Sequence, residues 1–304
     1  MLSRSPLVSS LRAGILNGND RHEAFFDAAV ERLSEDEIGR LGEYIGYCTS
    51  SGLDLAELAV CYETILEDTL KEQLYFVRHK KYRYTTFSEV AESVYHNPEY
   101  MRRYMHGLAL TSFIWPNHVD MRRFFEKTLP KDRSGSYLEV GPGHGLYFMT
   151  AMRLASFDRF TGIDISPTSI EMSERIVRHF FANTSAPVDF LCRDFLDQEP
   201  PRGPFGAIVM GEVLEHIERP EAFLKRIAEI CDAETYVYVT TCVNAPAIDH
   251  IYLFRMPEEV EDMIRDAGLA IRESYKGAYF GKSFEESLSQ ELPINVAYVL
   301  ARER

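Results

Sequence analysis

Apolar side chains recur every three or four residues through most of the first 130 positions, a spacing that predicts amphipathic helices. The longest stripe begins after Asp54, a good N-cap residue, and continues to about His79. Asn97 followed by Pro98 predicts another helix start, because proline fits the first helical turn. The sequence therefore predicts an α-helical N-terminal domain over residues 1–130, with helices at about 22–33, 36–48, 54–79, 87–95, 97–115 and 118–129.

From residue 131 to residue 304 the pattern changes to short apolar runs separated by helical segments. Such alternation predicts a mostly parallel sheet with helices on both faces. No helical pattern separates the last two runs, so we expect a hairpin that places an antiparallel strand in the sheet. The strands are predicted at 137–140, 159–163, 188–191, 206–210, 235–240, 270–275 and 295–301, with a loop at 277–289.

The most informative stretch is the glycine-rich turn after the first predicted strand. Glu139 precedes it, and Gly141, Gly143 and Gly145 occupy alternate positions before a helical segment. Glycine is needed where a turn requires unusual backbone angles or where a ligand approaches the main chain closely. The Gly-x-Gly-x-Gly spacing differs from the Gly-x-Gly-x-x-Gly of dinucleotide sites, which argues against a pyrophosphate ligand.

With Glu139 two residues before the first glycine, this turn resembles motif I of the class I S-adenosylmethionine (SAM)-dependent methyltransferases. The segment 210–220 resembles the region after the fourth strand in small-molecule members of that family. The resemblance covers about residues 130–304. It implies a seven-stranded Rossmann-like sheet with an antiparallel last strand, SAM as the cofactor, and Asp164 as the acceptor of hydrogen bonds from the ribose hydroxyls. The cofactor-binding residues that it implies are Glu139, Gly141, Gly143, Gly145, Asp164, Ile165, Asp194, Phe195, Gly211 and Glu212.

Two histidines after the fourth and fifth strands are candidates for catalysis. The ordinary pKa of histidine suits His216 to removing a proton from a hydroxyl group. His250 and Tyr252 lie in the loop after the fifth strand, where loops line the site in this fold. Either histidine could instead order its own loop, and His216, Asp249 and His250 could form a two-histidine, one-carboxylate metal site. The catalytic residues predicted are His216, His250 and Tyr252, and no metal is predicted.

Aromatic residues are dense between positions 95 and 118. They could pack the helical region against the sheet, or form a lid whose tyrosines and His106 or His118 line a substrate pocket. Both interpretations can hold for different faces of one helix. The substrate-binding residues predicted are Tyr100, Tyr104, His118, Tyr147 and Asn244.

Composition narrows the possible partners. The net charge of −14 argues against a protein that binds nucleic acid. The five cysteines are scattered without metal-ligand spacing, which favours reduced thiols in or near the core of a cytoplasmic protein. No apolar run is long enough to span a membrane, and no secretory signal is expected. The expected partner is a small-molecule substrate, and a homodimer through the N-terminal helices is left open.

The sequence thus predicts a SAM-dependent methyltransferase with a helical cap, acting on a small molecule in secondary metabolism or cofactor biosynthesis. Oxygen is the favoured acceptor, followed by carbon or nitrogen. The alternatives are a SAM-binding protein that does not methylate, a metal-assisted C-methyltransferase of a keto acid, and a nicotinamide-dependent oxidoreductase. The last is disfavoured by the glycine spacing and by the terminal hairpin.

Overall fold

The computed structural model describes residues 5–17, 19, 22–196, 199 and 203–303. Helices fill the N-terminal part, and the fifth of them continues into one π-helical turn, Ala91–Tyr95. The helices are α1 (Pro6–Leu16), α2 (Glu23–Glu31), α3 (Glu35–Ser50), α4 (Leu55–His79), α5 (Phe87–Val90), α6 (Pro98–Ile114) and α7 (Pro116–Thr128). We call α1 to α7 the cap.

Local sequence signals account for the starts of the long cap helices. Asp54 caps α4 by accepting a hydrogen bond from the Glu57 backbone N–H, and the Glu57 side chain accepts one from the Asp54 backbone. This reciprocal pair satisfies two donors that a helix start otherwise leaves unpaired. Asn97 caps α6 ahead of Pro98, as the sequence predicts.

A seven-stranded sheet follows the cap, with strand order β3-β2-β1-β4-β5-β7-β6. The first five strands are parallel to one another, and β7 runs antiparallel to both β5 and β6. The predicted fold class, including the antiparallel last strand, is confirmed. The strands are β1 (Ser136–Val140), β2 (Arg159–Asp164), β3 (Val188–Cys192), β4 (Phe205–Gly211), β5 (Tyr236–Val243), β6 (Leu269–Gly277) and β7 (Ile294–Arg302). The helices between them are α8 (Leu146–Leu154), α9 (Pro167–Phe180), α10 (Pro220–Ile230), α11 (Pro257–Asp266) and α12 (Phe284–Ser289).

The chain order reverses between β1 and β4, which are adjacent in the sheet. In open α/β sheets, the carboxyl ends of strands at such a switch point form the ligand-binding crevice. Glu139, Asp164 and Gly211 lie at or near the carboxyl ends of β1, β2 and β4. The topology therefore brings these three positions to one edge of the sheet.

The cap and the sheet share one hydrophobic core. Phe125 on α7 packs on Tyr238 of β5, with ring centroids 4.9 Å apart, and the Tyr238 hydroxyl donates to the Met121 carbonyl. The same cluster of buried side chains extends from Phe26 on α2 to Val299 on β7. The predicted boundary at residue 130 falls between α7 and β1, but the packed core continues across it.

Two helices lie outside the sequence prediction. Helix α1 packs on the cap through Val8, Leu11 and Ile15, a helical spacing that the sequence already contains. The predicted loop at 277–289 contains α12, because Ser283 and Glu286 form a capping box. The prediction of a loop there was wrong, since the glycine and serine content outweighed this signal.

The cysteines are free thiols, and four of them are buried as predicted. Cys192, at the end of edge strand β3, is exposed, so the prediction of a core position was wrong for this residue. Among the described residues, no helix has the length and apolar character needed to cross a membrane.

Candidate active site

A cavity with a volume of about 500 Å³ lies over the carboxyl ends of β1 and β4. This volume is in the range of small-molecule sites. We distinguish a sheet wall, formed by lining residues at the strand ends and in the loops after them, from a cap wall on α4, α6 and α7. The sheet wall includes Glu139, Gly141, Asp164, Gly211 and Glu212, and the cap wall includes Ile65, Tyr104, Leu108, His118 and Met121.

The glycine turn of the sheet wall requires glycine for both conformation and space. Gly141 has φ of 70°, and a Cβ there would lie 2.6 Å from Cγ2 of Val213. Gly143 also has a positive φ, of 53°. Side chains other than glycine rarely adopt such angles, so substitution at either position would strain the turn.

Asp164 is held in place by the same turn. Its Oδ2 accepts a hydrogen bond from the Gly143 backbone N–H at 3.2 Å, and its Oδ1 accepts one from the Ser166 backbone N–H at 2.8 Å. A carboxylate has about four acceptor positions, so Asp164 can accept further hydrogen bonds from a ligand.

Three carboxyl groups of the sheet wall have pKa values raised by burial. The pKa of Glu139 is raised to about 8 and that of Asp164 to about 6, and the pKa of Glu212 lies well above its usual range. No ion pair among the described residues involves any of the three. A cationic ligand would offset the cost of burying these charges, so the sheet wall is suited to a positively charged molecule.

Glu212 connects the two walls. Its Oε1 accepts a hydrogen bond from Thr240 Oγ1 at 2.7 Å, and its Oε2 accepts one from Asn295 Nδ2 at 3.1 Å. Asn295 Oδ1 in turn accepts a hydrogen bond from Nδ2 of Asn117, at the start of α7. Glu212 has φ of 51°, a strained angle of the kind that functional sites often contain.

The cap wall is largely apolar. Met101, Met105 and Leu108 on α6 and Met121 on α7 line it together with Trp115. Methionine adapts its shape to an irregular partner, and an indole ring offers a large contact surface. Such a wall suits an apolar or aromatic molecule.

A buried polar network joins the cap to the loop after β5. Asp249 Oδ1 accepts a hydrogen bond from the Tyr104 hydroxyl at 2.9 Å, and Oδ2 accepts one from the Tyr95 hydroxyl at 3.2 Å. Nδ1 of His216 lies 3.3 Å from Asp249 Oδ2 and 3.2 Å from the Asp249 carbonyl oxygen. The Tyr95 hydroxyl is a third neighbour, 3.1 Å from Nδ1, and it donates its own proton to Asp249 Oδ2. All three neighbours can therefore accept, so Nδ1 carries the proton and Nε2 has a free lone pair.

The charge of Asp249 also sets the basicity of His216. Burial alone would lower the pKa of His216, but the carboxylates of Asp249 and Glu215 outweigh this effect and raise its pKa. His250 packs edge-on against His216, with ring centroids 4.7 Å apart. Its Nδ1 donates to the Ala245 carbonyl oxygen at 2.6 Å, and burial lowers its pKa.

The sequence over residues 117–274, just over half of the chain, matches the model of a family described as "Methyltransferase domain". The chain belongs to this methyltransferase family. It is a class I, SAM-dependent enzyme, and SAM is its methyl donor. No curated protein has a significant sequence match to it.

Solved structures of methyltransferase fold are similar to the chain. Mitomycin 7-O-methyltransferase MmcR has a TM-score of 0.53 and 13% identity, over 84% of this chain and 73% of that one. The cyclopropane synthase MmaA2 from Mycobacterium tuberculosis has a TM-score of 0.48 and 12% identity, over 62% of this chain and 85% of that one. The [4+2]-cyclase SpnF has a TM-score of 0.48 and 18% identity, over 61% of this chain and 80% of that one. At these identities the similarity concerns the fold alone.

The residues of the methyltransferase fit SAM, which carries a sulfonium and an ammonium charge. The three buried carboxyl groups of the sheet wall suit a cation. The hydroxyl of Ser169 is buried in the cavity lining beside Asp164 and has no hydrogen-bond partner among the described residues. Unpaired buried hydroxyls are uncommon, so a ligand with hydroxyl groups, such as a ribose, would satisfy it. Ile165 and Phe195 supply apolar surface on the same side of the cavity.

The structure brings most of the sequence-predicted residues to the cavity. Nine of the ten predicted cofactor residues line it, and Gly145 does not. Gly145 is the N-cap of α8, where a Cβ would lie 3.0 Å from Cγ2 of Ile176 on α9. The absence of a side chain at Gly145 therefore allows the start of α8 to pack closely against α9. The other predicted residues that line the cavity are Tyr104, His118, Tyr147, His216 and His250.

Besides Gly145, three predicted residues lie outside the cavity lining. The Tyr100 hydroxyl points within the cap and donates to Asp68 Oδ2 at 2.6 Å. Asn244 is buried, and its Nδ2 donates to a backbone carbonyl oxygen at 3.0 Å. Tyr252 packs on Phe254, with ring centroids 4.7 Å apart. Tyr100 and Asn244 are held by contacts with residues more distant in the sequence, whereas Tyr252 packs on a residue two positions away.

Two residues of the polar network were missed as site residues. Tyr95 lies on the π-helical turn, and only its place in an aromatic-rich segment marked it in the sequence. Asp249 follows β5, in a loop expected to line the site, and was considered as a metal ligand but not as the partner of His216. Its position beside His250 was the available signal for a buried carboxylate that contacts a histidine.

Proposed function

We propose that this methyltransferase transfers a methyl group to a hydroxyl group of a small, largely apolar molecule. The proposal rests on the combination of an apolar cap wall with a histidine–carboxylate pair in the same cavity. Oxygen acceptors such as phenols must lose a proton during methyl transfer, whereas many other acceptors need no base. Carbon and nitrogen acceptors rank behind oxygen for this reason.

The observation that carries the proposal is the contact between His216 and Asp249. A base oriented and charged by a neighbouring carboxylate is a recurring arrangement for removing a proton from a hydroxyl. Asp249 accepts from Nδ1 of His216 and leaves Nε2 available, and it raises the pKa of the imidazole toward the range that matches neutral pH. We assign His216 as the general base, Asp249 as its positioning residue, and His250 as the group that packs against the imidazole.

The remaining chemistry is positioning. Bound SAM supplies a methyl group already activated by the sulfonium charge. Asp164 and the glycine turn hold the donor, and the methionines of α6 and α7 hold the apolar part of the acceptor. Holding the two molecules in line and free of water accounts for much of the rate enhancement of such a reaction.

The test is transfer from SAM labelled in its methyl group into an extract of the source cells, separated by molecular size. Label in a low-mass, solvent-extractable product supports the proposal, and a labelled methyl bonded to oxygen, as a methyl ether, identifies oxygen as the acceptor. Label in protein or nucleic acid contradicts it. Bound SAM with no transfer favours the non-methylating alternative.

A metal-assisted transfer is the second candidate, and one observation favours it. One potential ligand atom from each of His216, Asp249 and His250 lies within 4.8 Å of the others. These ligands suit Mn²⁺, Fe²⁺ or Zn²⁺, which would polarise a keto acid acceptor. Activity that is lost on treatment with a chelator and restored by one of these ions would favour this candidate over the general base.

We also propose that the cap mediates homodimerisation. Leu70, Leu74 and Val77 form a stripe on α4 and are 61%, 63% and 59% exposed, unusually high for large apolar side chains. Glu67 precedes the stripe and Arg78 follows it, so two antiparallel copies of α4 would place opposite charges together. Light scattering on the Leu74→Glu variant, which should be monomeric where the wild type is dimeric, tests this arrangement.

A further inference from the structure

Two histidines line the cavity at the corner where the cap meets the glycine turn. His118 is on α7, His144 lies between Gly143 and Gly145, and both line the cavity. Burial and, to a smaller extent, the neighbouring His144 lower the pKa of His118. Neither histidine belongs to the network around Asp249 described above.

Fixed hydrogen bonds define which nitrogen of each ring carries the proton. The Leu146 backbone N–H donates to Nδ1 of His144 at 3.2 Å, so the proton of His144 is on Nε2. The Thr111 hydroxyl donates to the Leu108 carbonyl oxygen at 2.7 Å. Thr111 must therefore accept from Nδ1 of His118, which lies 2.9 Å away. In both rings Nε2 is the nitrogen left without a partner among the described residues.

The location of this corner indicates which part of a ligand it meets. His144 is immediately before the N-terminus of α8, where the backbone N–H groups favour an anion. Asn117, the neighbour of His118 on α7, is linked through Asn295 to Glu212. The corner thus combines an anion-favouring helix end with a neighbouring hydrogen-bonded path, from Asn117 through Asn295, to the buried carboxylate of Glu212. An α-amino acid group carries one charge of each sign and suits such a place.

We propose that His118 and His144 bind the carboxylate of the methionine end of SAM, so that the cap itself supplies a cofactor-binding residue. The inference rests on the assignment of SAM as the donor and not on the nature of the acceptor. His144 donates from Nε2 as it stands. His118 takes up one proton from solvent at Nε2 when the carboxylate binds, and its Nδ1–H continues to donate to the Thr111 hydroxyl. Both N–H groups of the resulting imidazolium are then hydrogen-bonded.

Burial and His144 lower the pKa of His118 to about 4, so the ring is neutral before the ligand binds. Burial and His106 lower the pKa of His144 to about 4 as well. A carboxylate between the two rings would reverse this effect on His118, because an opposite charge stabilises the protonated ring. The titratable and charged groups around the corner are His144 from the glycine turn, His106 from α6, Arg122 one helical turn further along α7, and Glu212 through Asn117 and Asn295.

The test compares the affinities of SAM and decarboxylated SAM, which lacks only that carboxylate, by titration calorimetry. The wild type should prefer SAM by about tenfold or more, as expected for charge-assisted hydrogen bonds. His118→Asn keeps a donor for Thr111 but has no group at the Nε2 position, so it should lose most of the preference while binding decarboxylated SAM as the wild type does. His118→Gln places an amide N–H near the Nε2 position and should retain part of the preference.

Buffers of different ionisation enthalpy supply a second readout. SAM should bind with more proton uptake than decarboxylated SAM, and His118→Asn should abolish this difference. At about pH 6, below the pKa of the α-amino group, both ligands carry the same ammonium, so proton release from Glu139 or Glu212 cancels when the titrations are compared there. His96→Asn, at an exposed histidine outside the cavity, is the matched control and should leave both readouts unchanged.

An unchanged preference for SAM in both His118→Asn and His144→Asn would overturn the proposal. So would a fall in turnover with no change in SAM affinity, which would place His118 against the acceptor. If His118→Asn does not fold, as judged by thermal unfolding, His144→Asn and His118→Gln decide the question. No acceptor is needed for these titrations, so a failure to detect methyl transfer would count against the proposed function and not against this site.

Discussion

The sheet wall and the cap wall differ in how far apart their contacting residues lie in the sequence. Gly143 and Asp164, which share a hydrogen bond in the sheet wall, are 21 positions apart. Tyr104 and Asp249, which join the cap to the sheet side, are 145 positions apart. The first pair belongs to a single strand–turn–helix–strand unit, whereas the second exists only when the whole chain is folded.

The two walls also differ in charge. The sheet wall presents buried carboxyl groups with raised pKa values, which suit the cationic SAM. The cap wall presents methionine and other apolar side chains together with polar ones such as Tyr104 and His118. Substitutions should therefore separate into two classes, those that change SAM affinity and those that change the use of the acceptor. The corner formed by His118 and His144 is the expected exception, because there a cap residue should affect SAM.

The largest expected effect is that of His216→Asn. Turnover should fall by about 10²–10⁴-fold, the usual contribution of a general base, because asparagine cannot accept the proton. SAM affinity should stay within about twofold of the wild type, because a base acts on the acceptor. Steady-state kinetics with the identified acceptor, together with calorimetric SAM titration, measures the two quantities. Wild-type turnover would return His216 to a loop-ordering role.

On the sheet wall, Asp164→Ala should weaken SAM binding by about 1–3 kcal/mol, the cost of losing charged hydrogen bonds. The variant removes acceptors that the ribose would use and frees the Gly143 backbone N–H. Asp189→Ala is a suitable control, because this carboxylate is on the neighbouring strand β3 and forms a surface ion pair with Arg159. Equal SAM affinity of the Asp164 variant and the control would remove Asp164 from the site.

The accuracy of the predictions made from the sequence also differs between the sheet wall and the cap wall. The strands, the glycine turn and the position of Asp164 depend on local patterns, and these were predicted to within a few residues. Tyr100 and Tyr104 carry the same side chain four positions apart on α6, yet only Tyr104 lines the cavity. Helical spacing places both on neighbouring turns, but only the packing of α6 against α4 and the loop after β5 decides which acid each hydroxyl meets. Such contacts leave no local signal in a single sequence.

The connection between the walls can be tested through pH. Asp249 raises the pKa of His216, so activity should fall as the pH drops through a value above the ordinary histidine pKa. In Asp249→Asn this contribution is lost and the pKa of His216 falls. The acidic limb of the kcat/KM profile should then move to lower pH by about one unit, with lower activity at the optimum. A limb that stays in place would show that His216 does not set it.

The smallest expected effect comes from removing one hydroxyl between cap and sheet. The rings of Tyr100 and Tyr104 stack with centroids 5.7 Å apart. Tyr104→Phe deletes a hydrogen-bond donor to buried Asp249, and Tyr100→Phe deletes the donor to Asp68. Each should lower the free energy of unfolding by about 1–2 kcal/mol, because each carboxylate loses a hydrogen bond. Only Tyr104→Phe should lower turnover, because Asp249 contacts His216 whereas Asp68 contacts Lys71 within the cap. The expected fall is about fivefold, which corresponds to an activation free energy raised by about 1 kcal/mol. Denaturation curves measure the stability of each variant, and steady-state kinetics measure its turnover. Equal turnover in the two variants would mean that the Tyr104 hydroxyl supports the fold and does not affect the base.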